Sequence, residues 1–151
     1  MSIPPEIHSL LVKAEQVVQR QLDAYNERNL EAWLATYASN AEQHLLHAGQ
    51  MAIGIDEIRK RMAARFDDPA LHAELKSRTV MDNIVVDHEY VTRTFPDGLA
   101  TVEMICIYEV TAGLIQKATF AIGQARQKRS KSAAHRSTGH FAAVQVWASK
   151  S

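Results

Sequence analysis

The feature that most constrains this chain is a change of hydrophobic period at Pro69. Before it, apolar residues recur every three or four positions; after it, they alternate. Leu10, Leu11, Ala14, Val17, Val18, Leu22 and Tyr25 trace one face of a helix that ends near positions 26–29. Its start falls at Pro4-Pro5-Glu6, because proline's missing N–H is harmless in a first turn. Leu30, Trp33, Leu34 and Tyr37 mark a second short helix stopping at Ser39-Asn40, and positions 43–48 read as a short strand. After Gly54 a third helix turns Ile55, Ile58, Met62 and Phe66 inward and Arg59, Lys60, Arg61 and Arg65 to water. Asp67-Asp68-Pro69 ends it, since proline disfavours helix in the residue before it. Strands are expected at 71–81, 84–94, 99–110 and 114–122, joined by the turn signals Phe95-Pro96-Asp97-Gly98 and Thr111-Ala112-Gly113. Three helices and one early strand before a long meander predict an α+β domain, its helices packed on one face of a curved, mainly antiparallel sheet.

A chain of 151 residues has the length of one ordinary domain. Its formal charge of zero, 17 bases against 17 acids, hides an asymmetry. Arg126, Lys128, Arg129, Lys131, Arg136 and Lys150 all follow position 123, and no acid does. The division expected is therefore an acidic domain over 1–123 and a basic extension over 124–151. The basic, Ser/Ala-rich run to Thr138 has linker composition, while 140–148 carries enough apolar residues to dock on the domain or on a dimer mate. The extension lacks interleaved aromatics, so nucleic-acid binding is not expected. One cysteine, Cys106, supports neither a disulfide framework nor a thiolate metal site. No apolar run approaches the ~20 residues of a membrane span, and the start lacks a signal-peptide pattern, so the expectation is a cytoplasmic protein off the membrane.

The element order, with Val17-Val18-Gln19-Arg20, Asn26-Glu27-Arg28-Asn29-Leu30, Tyr37-Ala38-Ser39-Asn40-Ala41 and Tyr108-Glu109-Val110 where they fall, resembles the nuclear transport factor 2-like superfamily. Within it, the chain is similar to SnoaL-like and steroid delta-isomerase-like bacterial members over residues 10–123. The resemblance implies a cystatin-like fold: a cone-shaped barrel with a ligand pocket between sheet and helices, and dimerisation through the outer face of the sheet. Function does not follow from it, because this fold hosts isomerases, cyclases, hydrolases and non-catalytic binders. Steroid isomerases of the family use a carboxylate base with a tyrosine and a protonated acid as oxyanion hole. Their tyrosine falls on Gln21, their base on Leu45, and their oxyanion acid near Cys106. Leucine cannot take a proton and glutamine is no acid, so the chain is not expected to be a genuine steroid delta-isomerase.

Alternation then nominates the groups of this chain. Gln43, Leu45 and His47 share one face of the first strand, and His47 is the candidate general base, its ordinary pKa lying near neutrality. Met104, Cys106, Tyr108 and Val110 are expected to point inward, and Glu103, Ile105 and Ile107 outward. Gln21, Tyr25, Tyr37, Gln43, Leu45, Met104, Cys106 and Tyr108 are therefore the candidate ligand-binding residues. Tyr25, Trp33 and Tyr37 read as core aromatics, one of which floors the pocket. Asp87, His88 and Glu89 read as a solvated strand. His44, His47, His72 and His88 lack metal-ligand spacing, so neither metal nor cofactor is expected. The expected function is binding of a small apolar or aromatic molecule, with isomerase-, cyclase- or hydrolase-type chemistry if any. The alternative is a non-catalytic ligand-binding or interaction domain. A homodimer through Ile105 and Ile107 belongs to both.

Overall fold

The computed structural model describes residues 5–127, with side chains from Ala14 onward. The expected docking segment at 140–148 lies outside the described residues. Three helices, α1 (Pro5–Asn26), α2 (Leu30–Leu34) and α3 (Ile55–Phe66), accompany six strands. These are β1 (Tyr37–Leu45), β2 (Gly49–Ile53), β3 (His72–Met81), β4 (Ile84–Phe95), β5 (Gly98–Thr111) and β6 (Leu114–Gln127). They form a single sheet in the order β2-β1-β6-β5-β4-β3. Only the β1–β6 pairing is parallel; β1–β2, β3–β4, β4–β5 and β5–β6 are antiparallel. This is the expected α+β architecture, with α1 laid across β3 to β6 and α3 on β1 and β2.

Four boundaries differ from the sequence expectation, each for a local reason. The second helix is one turn long: Asn29 caps its start, its side chain accepting from Ala32 N at 3.0 Å. Ile115 N donates to Thr36 O at 2.8 Å, which draws the chain onto β6, so Tyr37 opens β1 instead of closing a helix. β1 accordingly runs 37–45, earlier than the expected 43–48. The segment after it turns back as the unanticipated β2, through a turn in which His47 (φ 67°) and Gly49 (φ 97°) both take positive φ. β6 continues past position 123, with Arg126 opposite Thr101 and Gln127 opposite Ala100, so the sheet crosses the expected domain boundary.

Inward residues follow the pleat. Met104, Cys106, Tyr108 and Val110 of β5 are buried, as alternation predicted, and so is Val102, while Glu103 is exposed and Ile105 and Ile107 are half-buried. On α3 the buried positions are Ile58, Arg61, Met62, Arg65 and Phe66. This corrects the expectation that Arg61 and Arg65 face water: spacing from Ile58 puts both on the stripe that meets the sheet. On β4 the buried set is Val85, Asp87, Glu89, Val91, Arg93 and Phe95. Asp87 and Glu89 therefore do not belong to a solvated strand. Only His88 between them points to the outer face, where its Nε2 meets Glu103 Oε2 at 2.6 Å.

Candidate functional site

The pleat and the helix stripe together form a narrow, partly open cavity between α1, α3 and the concave side of the sheet. Gln21, Leu22 and Tyr25 reach it from α1, Trp33 from α2, and Arg61 and Met62 from α3. The sheet contributes Tyr37 and Gln43 from β1, Ala73 from β3, Glu89 and Val91 from β4, Met104, Cys106 and Tyr108 from β5, and Phe120 from β6. The cavity is small, with about 30 Å³ open to the centre of a water-sized sphere. The room suits a few water molecules or one small ligand.

Seven of the eight candidate ligand-binding residues therefore line one space: Gln21, Tyr25, Tyr37, Gln43, Met104, Cys106 and Tyr108. Leu45 is buried in the core on Gln43's strand but is not part of the lining. His47 is elsewhere. β1 ends at Leu45, so the alternation that would carry His47 inward stops two residues short of it. His47 is exposed in the β1–β2 turn and does not reach the cavity, which removes it as a base acting there.

The carboxyl group that does reach the cavity is that of Glu89, 4% exposed. Its pKa is pushed up to about 7, chiefly because burial penalises the charged form and secondly because the Asp87 carboxylate lies nearby. Asp87 is itself fully buried and clamped by Arg78, with Nε–Oδ1 at 2.7 Å and Nη2–Oδ2 at 2.9 Å. That bidentate pair is the strong, geometrically specified kind. Arg78 Nη1 also donates to Gln19 Oε1 at 2.8 Å, tying the ion pair to α1. Cys106 Sγ lies 3.8 Å from Glu89 Oε1, a long and weak contact, while Glu89 Oε2 is buried with no hydrogen-bond partner. Burial also pushes the Cys106 thiol well above its ordinary range, so it is not a thiolate nucleophile.

The rest of the lining is aromatic and rich in donors. Trp33 packs on Tyr37 at 4.6 Å and on Phe66 at 5.3 Å between ring centroids, and Tyr25 meets Phe66 edge-on at 5.5 Å. Burial raises the pKa of Tyr25, Tyr37 and Tyr108, which keeps all three as neutral phenols. The Tyr25 hydroxyl, Trp33 Nε1 and Gln21 Oε1 are buried with no hydrogen-bond partner. Buried polar atoms are ordinarily satisfied, so several on one cavity wall mark a place built to meet a polar guest. The sequence reading passed over Arg61 and Glu89. The signal for Arg61 was its place three residues after Ile58 and one before Met62; nothing in β4 alone distinguished the face of Glu89 from that of His88.

A SnoaL-like domain family matches residues 18–118 of the chain. The chain belongs to the SnoaL-like family. No match is found among curated proteins. Among solved structures it is similar to a candidate SnoaL-like polyketide cyclase from Jannaschia sp. CCS1, with a TM-score of 0.66 and 16% identity over 81% of this chain and 90% of that one. A cystatin-fold protein from Novosphingobium aromaticivorans matches with a TM-score of 0.65 and 20% identity, over 71% of this chain and 96% of that one. A protein of ketosteroid isomerase-like fold from Catenulispora acidiphila, solved in complex with trimethylamine, matches with a TM-score of 0.59 and 14% identity, over 70% and 83%. At these identities the likeness is one of fold. No helix among the described residues is long and apolar enough to cross a membrane.

Proposed function

We propose that this SnoaL-like protein binds a small, largely apolar or aromatic molecule in the cavity and moves a proton on it, with Glu89 as the acid–base group. One observation carries the reading: a buried carboxyl with an unpartnered oxygen faces an aromatic-lined cavity, its pKa pushed up to about 7. A proton-transfer group works best when its pKa lies near the operating pH. Glu89 as carboxylate takes a proton from a carbon beside a carbonyl, and as carboxylic acid returns it to a neighbouring atom of the conjugated system. That sequence balances without a co-reactant and is isomerase-type chemistry. The Tyr25 hydroxyl stands ready to donate to the carbonyl oxygen, and Gln21 Oε1 to accept from a hydroxyl of the ligand.

The test is hydrogen–deuterium exchange into a panel of cyclic and aryl ketones in deuterium oxide. Enzyme-dependent exchange that is lost in Glu89→Gln is expected, by a factor of ~100 or more for removal of an acid–base group. Equal exchange by both proteins overturns the assignment. A second reading is favoured by the replacement of all three isomerase positions, by Gln21, Leu45 and Cys106: a binding module without chemistry. Saturable ketone binding with no exchange selects it. In either case the working unit proposed is a homodimer through the outer sheet face, where Ile105 and Ile107 sit half-buried beside Val86, Thr119 and Ala121.

A further inference from the structure

The cavity lining combines a cation, Arg61 of α3, with the Tyr25 hydroxyl and Trp33 Nε1, two donors that a purely apolar ligand would leave unused. Arg61 reaches the lining with 4% exposure, and its Nη1 donates to Gln43 Oε1 at 2.9 Å while lying 3.2 Å from Met62 Sδ. Arg65, one turn further on α3, and Arg93 on β4 lie nearby: burial chiefly lowers the pKa of Arg61 and of Arg65, and the neighbouring positive charges add to it. A guanidinium's intrinsic basicity still keeps each a cation at neutral pH. The neutral Tyr25 and Tyr37 phenols line the same cavity as Arg61. The Tyr25 hydroxyl and Trp33 Nε1 are more than nine-tenths buried and have no hydrogen-bond partner. The single acid in the lining is Glu89.

We propose that Arg61, with Tyr25 and Trp33, forms an anion subsite, and that the ligand is a small organic acid: a carboxylate on an apolar or aromatic body. The carboxylate offers about four lone-pair positions and matches the planar guanidinium fork. Its body lies against Val91, Met104 and Phe120. A buried guanidinium also discriminates by charge, because an amide of the same shape meets it with neither a second lone-pair acceptor nor a negative charge. The inference rests on the cavity being the ligand site and names the class of molecule it selects.

Calorimetry on the full chain at neutral pH tests it with three acid–amide pairs: acetate and acetamide, butyrate and butyramide, benzoate and benzamide. At least one acid is expected to bind about tenfold or more tightly than its amide, as suits a charge-assisted pair in a desolvated site. Arg61→Met is expected to reduce the acid to the affinity of its amide. Arg61→Lys, which keeps the charge, retains a smaller preference and shows that the loss is not one of folding. Equal binding of acid and amide by the wild type, no saturable binding of any acid, or a preference that survives Arg61→Met overturns the subsite. Ketone exchange without acid preference refutes the anion subsite alone; acid preference without ketone exchange refutes proton transfer alone.

Discussion

At the scale of single residues, Glu89 carries a cost that pH reveals. Its carboxyl is protonated up to about pH 7 in the folded protein, against about 4.5 for an unperturbed glutamate. Between those values the native state holds a proton that the unfolded chain has lost, so stability falls as pH rises through that window. The penalty reaches on the order of 3 kcal/mol above it. Glu89 faces Asp87 on its own strand, Cys106 and Tyr108 on β5, Arg78 on β3, Tyr37 on β1 and Tyr25 on α1. Glu89→Gln keeps the shape and removes the ionisation. Denaturant unfolding is therefore expected to find the variant similar to the wild type at mildly acidic pH and more stable at mildly alkaline pH. Equal stabilities at alkaline pH would show that Glu89 ionises at no cost, against the account.

At the scale of elements, one side chain ties the end of the first helix to the edge strand. Asn26 donates from Nδ2 to Ala73 O at 2.9 Å and accepts at Oδ1 from Ala73 N at 2.7 Å. These two bonds mimic a strand partner at the exposed side of β3 and set α1 over the cavity. Asn26→Ala is expected to cost about 1–3 kcal/mol, since it leaves a part-buried N–H and C=O unsatisfied. Thermal unfolding would check this; an unchanged transition contradicts the docking role. Elements are also the level at which the sequence was most readable. The shift of period at Pro69 separated helices from strands, and the alternation of β5 named its inward face correctly. It failed where a rule of polarity met an exception. Both faces of β4 mix apolar with polar residues, and the usual preference for solvated charge assigned Asp87 and Glu89 to the wrong one. The same preference hid Arg61 and Arg65, although the Ile58, Met62 and Phe66 spacing runs through them. His47 failed for a different reason: a face argument holds only while the strand lasts, and tertiary pairing with β2 ends β1 at Leu45.

At the scale of the whole molecule, the sheet has two faces with opposite duties. The concave face closes on the helices and holds the cavity; the outer face presents half-buried branched residues. Ile107 lies between Val86 and Thr119, and Ile105 between His88 and Ala121. Sedimentation is expected to report a dimer that Ile105→Lys or Ile107→Lys converts to monomer, because a charge on a buried apolar contact is costly. A wild-type monomer at working concentrations would place the working unit in a single chain. On the cavity face, Glu89 is the proposed acid–base group, its proton affinity raised by burial to near neutrality. The most direct measurement is an isotope-edited infrared titration of the carboxyl groups, with the Glu89→Gln difference identifying the residue. A protonated carboxyl band assigned to Glu89 is expected to disappear with a midpoint near 7. A band that disappears near the ordinary glutamate value, or none assignable to Glu89, would contradict it.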